Sequence, residues 1–473
     1  MTDVTTTSYE DLRQRHLARA GELLPALLDR LTWPADRLAE HRTAELRRLL
    51  VAAREASPWH RERLAGVDLA ALDQADLTAL PVMTKDDLMD HFDGIVTDDR
   101  LRLAVVEDFL AGMTGDAYLF DRYHAGASGG STGRRGVFVY DWDAWATCFW
   151  SVQRHVAAAQ RSAAQGGPVR IAMVASAAPV HMSATLPRTF STPAVEFARF
   201  PVSTPLAEMV AGLNAFQPTV VVGYPSALHP LAVEAAAGRL RISPDRIDGM
   251  AEVLLPETRA ALVEAFGALV GNNYSLSEGG GAAQACAHGA MHLADDLLII
   301  EPVDADGRPV PPGTRCAKLY LTNLFNHALP LIRYEVTDQI ELLTGTDPCP
   351  CGSTHRRIAD PYGRLDDVFT YRGPAGALTV HPHVFRSPLA RRREIVEYQV
   401  RQTAAGARVA VRTTGPCATD ELAADIAAGL AAVGLPAPEV EVDLVAGFPR
   451  PVSGKLIRFL PLGRSLPVPD APA

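Results

Sequence analysis

The chain has 473 residues, of which 48% are hydrophobic and 21% charged, and a formal net charge of −10. It is too long for one core and too apolar for a disordered chain, so two or more globular domains are expected. The acidic balance disfavours nucleic acid as a partner, and no run of about twenty apolar residues is present to span a membrane.

The N-terminus, MTDVTTTSYEDLRQRH, lacks the apolar core of a secretory signal. Six cysteines in a chain of this length do not make a disulfide framework, so the cytoplasm is the expected compartment. From 10 to 66, Leu, Ala and Arg recur at helical spacing, with Leu46, Leu49, Leu50 and Ala53 as one example. ALPVMTKDDLMDHF (79–92) then sets Thr84 before an acidic first turn, as an N-cap would be. Past 168, short apolar runs alternate with helical stretches. VRIAMVAS (169–176), TVVVGY (219–224) and LLIIEPVD (297–304) read as strands, and LAEMVAGLNAF (206–216) and PETRAALVEAFGALV (256–270) as helices. The alternation predicts an α/β fold of mostly parallel sheets covered by helices. Composition shifts after GRLDD (363–367). Beyond it VEYQVRQ and ARVAVRTT read as strands and TDELAADIAAGLAAVG (419–434) as an amphipathic helix, giving a small α+β unit of about one hundred residues.

Several segments carry candidate chemistry. AGASGGSTGRRG (125–136) combines Gly129, Gly130 and Gly133 with the hydroxyls of Ser128, Ser131 and Thr132 and the cations Arg134 and Arg135. Glycines let backbone N–H groups approach phosphate, and hydroxyls and guanidinium groups bond its oxygens. No GK[ST] follows, so this is not a Walker A loop; a Gly/Ser turn is the alternative. In YSLSE (274–278), Glu278 is a candidate Mg²⁺ carboxylate, or else Ser277 and Glu278 cap a helix start. Asp338 ends IRYEVTD (332–338) and could accept ribose hydroxyls or sit in a plain strand-end turn, and Arg333 could serve a structural ion pair. GYPSAL (223–228) reads as a strand-to-helix turn made by Pro225 and capped by Ser226. PRPVSGKLIRF (449–459) presents Lys455 on a turn near the end of the chain. CAHGAMH and CPCG supply Cys286, His292, Cys349 and Cys351, three thiolates and an imidazole suited to a closed tetrahedral zinc site, with His288 and His355 as substitutes. Four unrelated buried residues are the alternative, and Cys148, Cys316 and Cys417 read as incidental. In DWDAWATCFW (141–150), Trp142, Trp145 and Phe149 share a helical face that is either core or a pocket wall.

The order and spacing of these segments resemble the adenylate-forming superfamily, in its branch similar to phenylacetate–CoA ligase. The resemblance covers most of the chain, from the N-terminal helices and LPVMTKDDL through to Lys455. It implies a large ATP- and acid-binding domain (1–363) and a small mobile α+β lid (364–473) that carries a catalytic lysine, Lys455. It gives SGGSTG (128–133) to the phosphates, with Arg134 where lysine is common, and Glu278 to magnesium. It places Tyr274, Ala251 and Glu252 of GMAEVL at adenine, Asp338 at ribose, Arg364 at ribose and phosphate, and Asp366 at the hinge. His181 of APVHMSA, Tyr224 and Ser275 would line the acyl pocket. Implied small molecules are ATP, Mg²⁺, a structural Zn²⁺, an organic acid, aromatic in the first instance, and coenzyme A as acceptor; a homodimer is compatible. Transfer to an amine, adenylation of nitrite for aryl-amine diazotisation, and a nucleotide binder without catalysis stand as alternatives.

Overall fold

The computed structural model describes residues 8–128, 136–163, 168–176, 179–345, 348–364, 368–373, 376–380, 382–390, 392, 394–449 and 456–463. The N-terminal part is helical, as its periodicity predicts: Tyr9–Asp29, Ala35–Ala56 and Pro58–Arg63. Leu46, Leu49, Leu50 and Ala53 face one way at helical spacing and are fully buried. Thr84 caps the helix Lys85–Asp90 in a reciprocal box: its hydroxyl accepts from the Asp87 N–H at 3.1 Å, and the Asp87 carboxylate accepts from the Thr84 N–H at 2.8 Å.

The centre is an eight-stranded sheet. In spatial order its strands are Arg357–Ile358, Met291–Leu293, Gly280–Ala285, Leu269–Leu276, Arg246–Met250, Val220–Gly223, Val169–Ala175 and Val195–Pro201. The last five of these run parallel, and the first three are added antiparallel. Helices Met182–Thr189, Leu206–Phe216, Pro225–Ala236 and Pro256–Phe266 connect the parallel strands, as crossover geometry requires. The helix expected over 256–270 stops at Phe266. Gly267 takes φ +63, which ends the helix in the left-handed conformation, and Leu269 already starts a strand.

The C-terminal part has its own four-stranded sheet, in the order Glu439–Leu444, Gly406–Thr413, Ile395–Gln402, Phe459–Leu460. Thr419–Ala432 follows as the expected helix, burying Leu422, Ile426 and Leu430. Val400, Val409, Val411, Phe369, Phe385 and Phe459 form a core separate from that of the large sheet, with Leu255 reaching into it. Among the described residues no helix is long and apolar enough to cross a membrane.

Candidate active site

Strand order reverses beside Val169–Ala175: the chain passes to Val195–Pro201 on one side, then returns to Val220–Gly223 on the other. In open α/β sheets ligands bind in the crevice at the carboxyl ends of strands around such a reversal. A cavity lies there. Its walls come from Met173, Phe197, Val222, Tyr224, Met250, Ala251, Asn273 and Ser275 on or just past the strands, from Cys148, Phe149, Val152 and Gln153 on the helix Trp142–Ala163, and from His181, Met182, Ser183, Leu186 and Pro187. His181, Tyr224 and Ser275, expected from the sequence, all line it. Of the aromatic stripe only Phe149 does. Trp145 is fully buried and stacks on His124, and Trp142 stacks on His16. No Asp, Glu, Lys or Arg is among the described lining residues.

Alternation along one strand separates two roles. Asn273 and Ser275 of Leu269–Leu276 line the cavity, while Tyr274 between them points the other way. Its hydroxyl donates to Asp338 Oδ2 at 3.0 Å, and both residues are buried. Asp338 sits in a two-residue strand paired with Gly363–Arg364, so the backbone of Arg364 lies directly opposite it. The adenine and ribose candidates, Tyr274 and Asp338, are therefore in direct contact.

Glu278 lies in the tight turn between Leu269–Leu276 and Gly280–Ala285, not at a helix start. Gly280 takes φ +66 there, and a Cβ on it would stand 2.9 Å from Ser151 Oγ and 3.1 Å from Cys148 Cα. Asn323 Nδ2 donates to the Glu278 carbonyl at 3.0 Å, and the Tyr140 hydroxyl donates to the Ser277 carbonyl. The turn is thus fixed from two sides. Burial pushes the Tyr140 hydroxyl far above the usual phenol range and the Cys148 thiol likewise up, so both are neutral. Ser128 closes the base of the phosphate-loop candidate: its N–H donates to the Gly136 carbonyl at 2.9 Å and its Oγ accepts from the Gly136 N–H at 2.7 Å. Gly129, Gly130, Ser131, Thr132, Gly133, Arg134, Asp366 and Lys455 lie outside the described residues.

Ala251 takes φ 61, an uncommon conformation for a residue with a Cβ, and turns the chain out of the strand Arg246–Met250. Next to it, Glu252 makes contacts the sequence did not suggest. Its carboxylate accepts from the Ser226 N–H and Oγ, each at 3.0 Å, and from the Leu456 N–H at 2.9 Å. The helix Pro225–Ala236 is therefore capped by Glu252 rather than by Ser226, and the same carboxylate holds the residue after Lys455. Arg333 is in an ion pair, with Nη2 3.1 Å from Glu301 Oε1.

At the antiparallel edge of the same sheet, Cys286, His292, Cys349 and Cys351 converge with all four ligand atoms within 4.8 Å of one another. Cys286 and Cys349 sulfurs are 3.8 Å apart, and Cys351 Sγ lies 3.4 Å from His292 Nε2. His292 Nδ1 is 3.2 Å from the His355 carbonyl, an acceptor that orients the ring with Nε2 toward the cluster. Burial lowers the His292 pKa, so the ring stays neutral. Burial pushes Cys351 up to about 12, while Cys349, though burial opposes it, is held below the usual thiol range by hydrogen bonds from Cys351 and Cys286. Crowded thiols cannot all ionise without a cation among them, and a bound metal would remove that conflict. His355 is engaged elsewhere: Nδ1 is 3.0 Å from the Leu293 carbonyl and Nε2 is 3.0 Å from the Arg30 carbonyl.

No family model matches the chain. Among curated proteins it is 29% identical over 389 residues to a phenylacetate–coenzyme A ligase of Thermus thermophilus, covering 78% of this chain and 79% of that one. A phenylacetate–coenzyme A ligase of Pseudomonas putida is 28% identical over 367 residues, 74% and 75% of the two chains. The chain is a homologue of the phenylacetate–coenzyme A ligases. Its fold is that of the adenylate-forming ligases. A 2-hydroxyisobutyryl-CoA ligase in its postadenylation state superposes with a TM-score of 0.68 over 91% of this chain and 90% of that one, at 20% identity. The same ligase in its thioesterification state gives 0.56.

Two features of this ligase homologue escaped the sequence reading. Asn273 lines the cavity beside the expected Ser275; an asparagine pair inside a strand, where asparagine is a poor fit, was the available signal. The bond from Leu456 to Glu252 joins residues 204 positions apart and left no local trace.

Proposed function

We propose that this homologue activates a carboxylic acid with ATP and passes the acyl group to coenzyme A. The observation that carries the reading is one strand with two faces: the Tyr274–Asp338 pair on one side and an uncharged pocket on the other. Similarity to ligases named for phenylacetate and coenzyme A supports it.

In this reading Asp338 accepts the ribose hydroxyls, Tyr274 packs on adenine beside Ala251, and Arg364 contacts ribose and phosphate. The loop from Ser128 to Arg134 holds the β- and γ-phosphates. A magnesium ion held by Glu278 would neutralise phosphate charge. The acid lies between Phe149 and Phe197, walls that suit an aromatic ring. Its carboxylate oxygen attacks the α-phosphorus in line. The bond to the bridging oxygen breaks, pyrophosphate leaves with the electron pair, and the Lys455 ammonium stabilises the charge that develops. The thiol sulfur of coenzyme A then attacks the acyl carbon, the bond to AMP breaks, and the thiol proton passes to solvent. Between the steps the small unit (364–473) turns against the large one (1–363) about Asp366. Cys286, His292, Cys349 and Cys351 would hold a zinc ion, which would pin the sheet edge and supply no chemistry to the reaction.

The test is pyrophosphate release from Mg·ATP over a panel of aryl and alkyl acids plus nitrite, with and without coenzyme A. One carboxylic acid should drive release, coenzyme A should be consumed, and Lys455→Ala should lower the rate by about 10²–10³. Release with nitrite alone would overturn the carboxylic acid as substrate, and an acyl product formed only on an amine would overturn coenzyme A as acceptor. ATP binding without any release would leave a nucleotide binder.

A further inference from the structure

The pocket is apolar on most sides, and one of its polar side chains stands out. Asn273 is 7% exposed, and its side-chain oxygen has no hydrogen-bond partner among the described residues. Its neighbour shows what a satisfied asparagine looks like in the same strand. Asn272, on the opposite face, donates through Nδ2 to Asp360 Oδ1 at 3.0 Å. A buried amide oxygen without a donor costs stability, and a strand inside a core offers many apolar residues that would avoid the cost. Such a group persists where a ligand completes it. Gln153, Ser275 and His181 line the same cavity, with Phe149 and Phe197 among its apolar walls. None of these carries a fixed charge, so a second carboxylate on the ligand would be buried without a countercharge.

We propose that Asn273 is a specificity residue that selects an acid bearing a neutral hydrogen-bond donor, an amino or hydroxyl group on its ring. The inference rests on the reading of this cavity as the acyl site. The substituent's N–H or O–H donates to Asn273 Oδ1, and the ring lies against the two phenylalanines. Acids without the substituent leave the amide oxygen unpaired and bind less well. Dicarboxylic acids are excluded by charge. Sites built to hydrogen-bond a substrate group discriminate strongly against analogues that lack it.

The experiment compares benzoate and phenylacetate with their amino- and hydroxy-substituted counterparts and with a ring dicarboxylate. It uses the full chain, and two readouts: equilibrium binding by calorimetry and pyrophosphate release. Wild type should favour a substituted acid over its parent by about 10–100-fold in binding. Asn273→Leu, which keeps the volume and removes the amide, should bring that ratio near one. Asn273→Ser provides a second variant if the leucine protein does not fold, and should lower the ratio without reversing it. Parent acids that bind as well as substituted ones overturn the proposal, as does a ratio unchanged in both variants or a panel that does not bind. Discrimination in binding with no pyrophosphate release supports the subsite and removes the ligase reading, so the two failures are separable.

Discussion

One sheet carries two clusters of polar side chains, and they differ in whom those side chains bond. At the parallel end, Asn273, Gln153 and Ser275 line a cavity, and the Asn273 oxygen has no partner among the described residues. At the antiparallel end, Cys286, His292, Cys349 and Cys351 face one another, with His355 and the backbone ordering the imidazole behind them. Parallel strands end together at a crevice where loops and helix termini converge, so unspent groups there can meet a ligand. The antiparallel strands lead to a sheet edge, which must be covered or pinned. The contrast teaches that convergence of polar residues alone does not mark the reacting centre; the direction in which they point does.

Four measurements can break or sharpen this contrast. The largest effect is expected at the edge cluster. Cys351→Ser, or removal of metal by a strong chelator, should lower the melting temperature by about 4 °C, a loss of roughly 3 kcal/mol. Pyrophosphate release at 25 °C should stay within about twofold. A variant that melts normally, from a protein purified without zinc, would show that the thiols cohere without a metal. At the other end, Asp338→Asn should raise KM for ATP by about 10–100-fold, the value of hydrogen bonds to a charged group, with little change in melting. If melting falls instead and KM holds, Asp338 serves Tyr274 and not ribose.

A buried histidine away from both clusters contributes to the acid background. His60 is fully enclosed with Nε2 3.0 Å from the Pro330 carbonyl, and burial pushes its pKa down to about 4. The unfolded chain takes this proton near pH 6.5, and the fold refuses it until about pH 4. Stability is therefore whole above pH 6.5 and falls as pH drops through that window, by about 1.4 kcal/mol per pH unit. Urea titrations at pH 7 and pH 5 should show a smaller difference for His60→Gln than for wild type. An equal slope would place the acid sensitivity elsewhere, the edge histidines included. The smallest effect belongs to Glu252. Glu252→Gln keeps an acceptor for Leu456 and weakens it, so adenylation should slow about 2–10-fold while binding of the acid is unchanged. A change in acid affinity instead would mean that Glu252 shapes the pocket.

Much of this was readable in the chain. The strands from 169 to 224 announced themselves as unbroken apolar runs because both their faces are covered. The N-terminal helices carried their period, and Thr84 its cap. The edge cluster was legible because thiols and imidazole have few other uses at such density. Other features were not. The helix after Pro256 looked longer because Ala268, Leu269 and Val270 fit either period, and only the backbone of Gly267 decides the end. Asn273 was hidden because strand face depends on register, which one sequence segment does not fix. The grip of Glu252 on Leu456 depends on the packing of the small unit against the large one.

The clasp between Ser128 and Gly136 has a consequence of its own. These two residues tie off seven intervening positions with paired hydrogen bonds, and a side chain at Gly136 would strike Phe138 at 2.8 Å. The hairpin below, His124–Ala127 against Val137–Tyr140, is therefore insulated from what hangs above it. Loop ends already held together make a change of loop length inexpensive, about 0.6 kcal/mol per doubling. A change in the length of 129–135 should therefore leave the melting of the protein unchanged.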